Sequence, residues 1–430
     1  MGKDEKTVEP FANLTIPQKE ALLKSLREEF DRVCGKNLKL NMARGKPGKE
    51  QLDLVSDILT VLTDPADCVC DGIDVRNYGN LSGLPAAKRL FAEILGCKPE
   101  QCFIGGSASL QLMYDLIAKA WTHGLRHSER PWSREKCVKW LCPAPGYDRH
   151  FGICAHFGME LISIPMTAEG PDMDRVEELV MDPQVKGIWC VPKYSNPQGI
   201  VYSRKTVERL AALKPAAPDF ALMWDNAYCV HEVFGEFLPF PDILQLCAEA
   251  GNADMVYEFA STSKITFPGA GISVMAASED NQAYLQSLLK FQVISYDKVN
   301  QLRHVRFLQN KAHTVELMAK HAEVLRPKFA CVLDTLAREI GPLELASWEN
   351  PTGGYFVSVN TRPGLASRTL ELCAKAGVTM TAAGATYPYG KDPADSNIRI
   401  APSYPDLEEL TQAMEIFCLC LKLAALEQAG

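Results

Sequence analysis

The stretch Met255–Lys264, MVYEFASTSK, decides the fold. A short, mostly apolar run, Met255–Ala260, breaks off into Ser261-Thr262-Ser263-Lys264. Such a run reads as a strand buried on both faces, with a polar turn at its carboxyl end. Six more runs of this kind lie between about Val55 and Ala312: Gln101–Ile104, Val138–Cys142, Leu161–Ile164, Gly187–Val191, Ala221–Trp224 and Gly271–Ala277. Longer helical patterns separate them, which predicts an α/β lobe with a mostly parallel seven-stranded sheet.

The two chain ends read differently. Leu22, Leu23, Leu26 and Phe30 have helical spacing within Thr15–Phe30, and the apolar Leu38–Met42 leads into the loop Arg44-Gly45-Lys46-Pro47-Gly48. Beyond Asn300 a long helical stretch precedes strand-like Gly354–Val359 and Asn397–Ala401, and Asp406–Glu427 closes the chain as an amphipathic helix. The expected organisation is a large domain over residues 51–312 and a smaller α+β lobe built from residues 1–50 and 313–430.

Composition excludes several classes. The 430 residues are 47% hydrophobic and carry a formal net charge of −8. That balance suits a globular chain and opposes phosphate-backbone binding, which requires Lys and Arg to neutralise phosphates. No apolar run approaches the roughly 20 residues that cross a bilayer. The N-terminal residues have no apolar segment resembling a secretory signal, and Lys6 stands where a myristoylation signal has Ser or Thr. The expectation is a soluble, cytoplasmic protein. Its fifteen cysteines are scattered, without zinc-like spacing, and read as reduced core thiols.

Ligands of open parallel sheets bind beyond the carboxyl ends of the strands. Five of the runs end in polar or aromatic residues: Gly105-Gly106-Ser107-Ala108-Ser109, Pro143-Ala144-Pro145-Gly146-Tyr147-Asp148-Arg149, Tyr194-Ser195-Asn196-Pro197, Asp225-Asn226-Ala227-Tyr228 and Ser261-Thr262-Ser263-Lys264. Each has an ordinary reading of its own. The first is a turn with a helix cap, Asn196-Pro197 is a turn, Asp225 is a cap, and Lys264 is a surface lysine. Turn chemistry alone does not explain the set.

Pyridoxal-phosphate catalysis uses all of these parts. Lys264 would tether the cofactor aldehyde, and Asp225 would pair with the pyridine nitrogen and keep it protonated. Asn196 and Tyr228 would hydrogen-bond the ring's phenolic oxygen, and Tyr147 would stack on its face. Ser107, Ala108 and Ser109 would cradle the phosphate at a helix start, helped by Ser261 and Ser263.

The ordered set resembles the fold-type I, class I aminotransferases. Asn196-Pro197, Asp225-x-x-Tyr228, Ser261-x-Ser263-Lys264 and Arg399 follow that family's pattern. The likeness is greatest to the divergent aspartate aminotransferase subgroup Ic, the MocR-like aminotransferases, through Ala43-Arg44-Gly45-Lys46-Pro47, Pro145–Arg149, Trp224–Tyr228 and Ser263-Lys264-Ile265-Thr266-Phe267. It extends over about residues 15–425. The resemblance implies that Lys264 also moves the substrate Cα proton, that Arg399 grips the α-carboxylate, and that the Gly45 backbone helps it. It implies that Tyr78 reaches the phosphate of a neighbouring subunit, hence a homodimer with shared sites. One departure is Ile272, where typical members carry an arginine that neutralises the phosphate. The helix start at Ser107–Ser109 and Arg76 are the expected substitutes.

The implied reaction is ping-pong transfer of an amino group from an L-amino acid, L-aspartate first, to 2-oxoglutarate. A dicarboxylic substrate needs a second cation. Arg149 is the candidate, unless it forms a salt bridge with Asp148 or another acid; Arg44 and Lys46 are weaker ones. Without it, aromatic, kynurenine-like or 2-aminoadipate substrates fit, with Tyr355 and Phe356 near in sequence. A C–S β-lyase would use the same cofactor residues. Metal ligands, nucleic acid and membrane are not expected.

Overall fold

The structure, a computed structural model, describes residues 10–429. The seven expected runs are all strands: β1 (Cys102–Ile104), β2 (Lys139–Ala144), β3 (Glu160–Thr167), β4 (Val185–Cys190), β5 (Ala221–Asp225), β6 (Val256–Ser261) and β7 (Ser273–Ala277). They form one sheet in the order β1-β7-β6-β5-β4-β2-β3. Neighbours from β6 to β3 pair in parallel, and β7 alone runs against the rest. Gly170–Pro171 adds a two-residue antiparallel strand beside β3, so the sheet has an eighth, short member.

Side chains of a strand alternate between faces, and both faces of this sheet are covered. On one side Leu222 and Trp224 of β5 join Ile188, Val256 and Ala260 in a large core. On the other, Met223 joins Trp140, Trp189, Tyr257 and Phe259. Largely apolar central strands are the consequence, because neither set of alternating positions there meets water, whereas β3, next to the edge, keeps exposed positions. Two helices follow strand ends directly: α1 (Ser109–Thr122) after β1, and α2 (Asp148–His156) after β2. Nine of the fifteen cysteines are buried.

Residues from both chain ends share a further core that includes Leu26, Met42, Phe329, Val357, Ile400 and Phe417. Its sheet is antiparallel, β8 (Ala346–Trp348), β9 (Val357–Thr361) and β10 (Asn397–Ile400), and Leu40–Asn41 pairs in parallel with Val378–Thr379. β9 starts three residues later than the sequence suggests. Gly354 has φ +81° and passes so close to Tyr194 that a Cβ would lie 2.8 Å from the tyrosine Cβ, so the chain turns there before it extends.

Helices α3 (Lys298–Leu308), α4 (Lys311–Glu339) and α5 (Leu407–Ala429) complete the frame. α4 gives Leu317 and Met318 to the sheet core and Leu325, Phe329 and Val332 to the other. No helix among the described residues is long and apolar enough to cross a membrane.

Two buried histidines support the turn that carries Lys264. His304 on α3 lies 3.1 Å from Thr262 Oγ1 and 2.9 Å from Thr266 Oγ1 through Nε2. His321 on α4 contacts Gln51 Nε2 through Nδ1 at 3.1 Å; Gln51 also donates to Tyr355 Oη, 2.9 Å away. Burial lowers both imidazoles to about 4. Their native pKa values lie below the unfolded value of about 6.5, so the unfolded chain binds protons that the folded chain refuses. Stability should therefore fall as pH drops from about 6.5 to 4, by up to about 3 kcal/mol per histidine. Urea midpoints measured across this range should show the slope, and His304→Gln should flatten it.

Candidate active site

Four adjacent parallel strands end at the same edge, and each is followed by an expected site residue. β6 leads to Lys264, β5 ends on Asp225 with Tyr228 beyond it, β4 leads to Asn196, and β2 leads to Tyr147. Shared strand direction, rather than proximity in sequence, brings them together.

Asp225 is 4% exposed. Its Oδ2 lies 2.9 Å from His150 Nε2, while Oδ1 is buried with no hydrogen-bond partner among the described residues. His150, a residue the sequence reading missed, stacks on Trp189 at 4.3 Å and 9° and meets the Tyr147 ring edge-on at 4.9 Å. Its position is a matter of helical phase. Asp148, Arg149 and His150 form the first turn of α2, and at about 100° per residue they point three ways. Asp148 reaches Arg399, Arg149 is exposed, and His150 turns in to Asp225.

The Lys264 amine stands 5.1 Å from the Tyr228 ring centroid and 5.9 Å from that of Tyr355. Desolvation lowers its pKa, and the Asp225 charge offsets part of this. Tyr228 is itself stacked on Tyr355 at 6.2 Å, and burial pushes its phenol well up. Burial also lifts Tyr147 to about 12, helped by the carboxylates of Asp225 and Asp148. Tyr355 Oη faces the Lys264 carbonyl at 3.4 Å, so the buried phenol links that turn to Gln51.

Arg399, on β10, is 7% exposed between buried Ile398 and Ile400. Nη1 donates to Asn196 Oδ1 at 3.1 Å and to Asp148 Oδ1 at 3.2 Å, and Nη2 donates to Thr381 Oγ1 at 3.3 Å. Nε is buried without a partner among the described residues. The guanidinium lies over the Phe356 ring at 4.9 Å. Gly45 passes against the same ring, and a Cβ there would come within 2.6 Å of Phe356 Cζ.

A second cluster flanks Lys264. Ser107, Ala108 and Ser109 open α1, with Ala108 as its cap. Ser261 Oγ donates to Ser263 Oγ at 3.0 Å, and Ser263 Oγ donates to the Ser107 carbonyl at 3.4 Å. Gly105 packs against Leu112 so closely that a Cβ would meet it at 2.6 Å. The missing Cβ lets β1 and the start of α1 pack closely, and the N–H groups of that helix start form the kind of site that holds an anion.

Three expectations change in detail. Ile272 is a buried core residue whose N–H donates to Thr262 Oγ1, so no side-chain donor replaces the arginine at that position. Arg76 forms a surface pair with Asp74, its Nε and Nη2 holding both oxygens at 2.9 and 2.6 Å. The alternative Arg149–Asp148 pair does not form, because Asp148 binds Arg399 instead. Tyr355 and Phe356 are buried in packing. Tyr78 is 78% exposed and not packed into the cluster.

Comparisons with known proteins agree with this geometry. A family model described as aspartate aminotransferase matches residues 14–430. A protein of Mycolicibacterium smegmatis named as an aminotransferase is 49% identical over 404 residues, covering 93% of this chain and 94% of its own. The aspartate aminotransferase of Corynebacterium glutamicum is 45% identical over 402 residues, covering 94% and 93%. A solved aspartate transaminase from that organism superposes with a TM-score of 0.95 at 43% identity, covering 99% of this chain and all of its own. The fold also matches the α-aminoadipate aminotransferase of Thermus thermophilus, solved with a phosphopyridoxyl-leucine, at a TM-score of 0.72 and 21% identity, covering 93% and 96%. The strand-end residues, the sheet that gathers them and these likenesses lead to one conclusion: the chain belongs to the aspartate aminotransferase family, the fold-type I transaminases that depend on pyridoxal 5′-phosphate.

Proposed function

We propose that the protein transfers the amino group of an L-amino acid, L-aspartate first, to 2-oxoglutarate. The observation that carries the reading is Asp225, a buried carboxylate with one oxygen held by His150 and the other unclaimed. An orphaned buried oxygen of this kind fits a protonated ring nitrogen. The Lys264 amine, its pKa lowered by desolvation, and the glycine-led start of α1 with its serines suit the aldehyde and phosphate ends of the same cofactor.

Lys264 would hold pyridoxal phosphate, Asp225 its ring nitrogen, Asn196 and Tyr228 its phenolic oxygen, Tyr147 its ring face, and residues 107–109, 261 and 263 its phosphate. Bound there, the cofactor supplies an electron sink for charge that develops at the substrate Cα. Asp225, oriented by His150, keeps a proton on the nitrogen. Lys264, its pKa lowered by desolvation, is the base for the Cα proton. Arg399 and the Gly45 backbone hold the α-carboxylate, and Asn196 steadies the guanidinium.

Aspartate as donor is supported by the 45% identity to the Corynebacterium glutamicum enzyme of that name. Arg149 is the proposed partner of the second carboxylate; it is exposed beside Tyr147 and pairs with no acid among the described residues. A homodimer completes the reading, with Tyr78 offered to the partner's phosphate. Phe291, at 85% exposed, and Ile294, at 66%, supply apolar surface for such an interface. The large sheet lobe and the smaller lobe from both chain ends would form the two walls of the cleft.

Purified protein should absorb visibly once loaded with the cofactor, and Lys264→Ala should retain cofactor while losing transamination. Turnover retained by that variant removes Lys264 from its role. A panel of amino acids against 2-oxoglutarate should give aspartate the highest kcat/KM. Arg149→Ala should lower that value for aspartate by about tenfold or more, the scale of one lost charge-assisted hydrogen bond, while an uncharged donor changes little. Equal losses for both donors assign Arg149 no part in selection.

A further inference from the structure

Asp148 takes no part in the scheme above, yet it makes the one carboxylate contact to Arg399 among the described residues. The guanidinium is almost wholly buried, and an unpaired buried charge is costly. In this structure the cost is met by Asp148 Oδ1 at 3.2 Å, while the neutral Asn196 and Thr381 take further N–H groups. The two partners differ in exposure: 7% for the Arg399 side chain and 34% for that of Asp148. The aspartate is therefore the half of the pair that can return to water.

Its place in the fold lowers the cost of leaving. Asp148 is the first residue of α2, where free N–H groups favour a negative charge, and the exposed Arg149 follows it directly. Released from Arg399, Asp148 keeps a stabilising environment without crossing the core. Arg399 has no such alternative, held between Ile398 and Ile400 over Phe356.

We propose that Asp148 is a built-in stand-in for the substrate α-carboxylate: it neutralises Arg399 in the resting protein and is displaced when the substrate or the 2-oxo acid product brings its own carboxylate. The proposal rests on the reading of Arg399 as the carboxylate receptor. Exchange of one carboxylate for another keeps the buried guanidinium paired at every stage. A primary amine without a carboxylate, or an amino acid amide, cannot displace Asp148 without leaving Arg399 uncompensated, and is refused.

The probe is succinate, which carries carboxylates but no amine to react. Its binding to full-length protein is followed by calorimetry, and KM for aspartate is measured in parallel on the holoenzyme. Asp148→Asn keeps the shape and removes the competing charge; it should tighten succinate binding and lower KM by about tenfold, the scale of one charge-assisted hydrogen bond. Asp148→Ser serves as a second variant should the first fold poorly. Unchanged or weaker succinate binding in a folded variant overturns the proposal, and leaves Asp148 as a group that merely holds Arg399 in place. Arg399→Lys separates the two levels of inference: succinate binding that survives it defeats the receptor reading itself, whereas its loss there, with no gain in Asp148→Asn, defeats only the stand-in.

Discussion

A single buried carboxylate organises this site. Asp225 lies at the end of a central strand, where the chain leaves the sheet and water is excluded. A charge in such a place persists only if its surroundings compensate it. Here one oxygen is held by an imidazole that is itself clamped between indole and phenol rings. The other oxygen has no hydrogen-bond partner among the described residues. The stacking of His150 on Trp189 therefore does more than fill volume: it fixes the angle from which Asp225 is held, and so the direction in which its free oxygen can be used.

The same arrangement separates the charges of the site. Lys264 is half-buried and Arg399 buried, but they come from different sheets and lie near different acids, Asp225 and Asp148. Tyr228 stands beside the amine, and Asn196 beside the guanidinium. The neutral histidines behind the lysine turn, His304 and His321, hold backbone and side chains in place without adding a further charge.

Much of this was legible in the sequence because parallel strands buried on both faces are short apolar words with polar endings. Tyr147, Asn196, Asp225 and Lys264 each follow such a word, so their convergence could be read without coordinates. His150 and Asp148 could not. They sit one residue either side of Arg149, and only the rotation of the α2 turn decides which of the three faces Asp225, Arg399 or water. The His just after the polar loop was the available signal, but it gives no phase. Gln51 and Tyr355 were hidden for another reason: they meet across about three hundred residues of chain, and a buried Gln or Tyr leaves no pattern along the sequence. The eighth strand at Gly170–Pro171 is too short to show any periodicity.

The closeness of Gly45 to Phe356 has a consequence of its own. The phenyl ring is in reach of both the backbone at Gly45 and the guanidinium of Arg399. Even a methyl group at position 45 would push that ring, and the push would arrive at Arg399. The absence of a side chain at one residue thus sets the seat of a cation more than three hundred and fifty positions away, through an aromatic ring that does no chemistry.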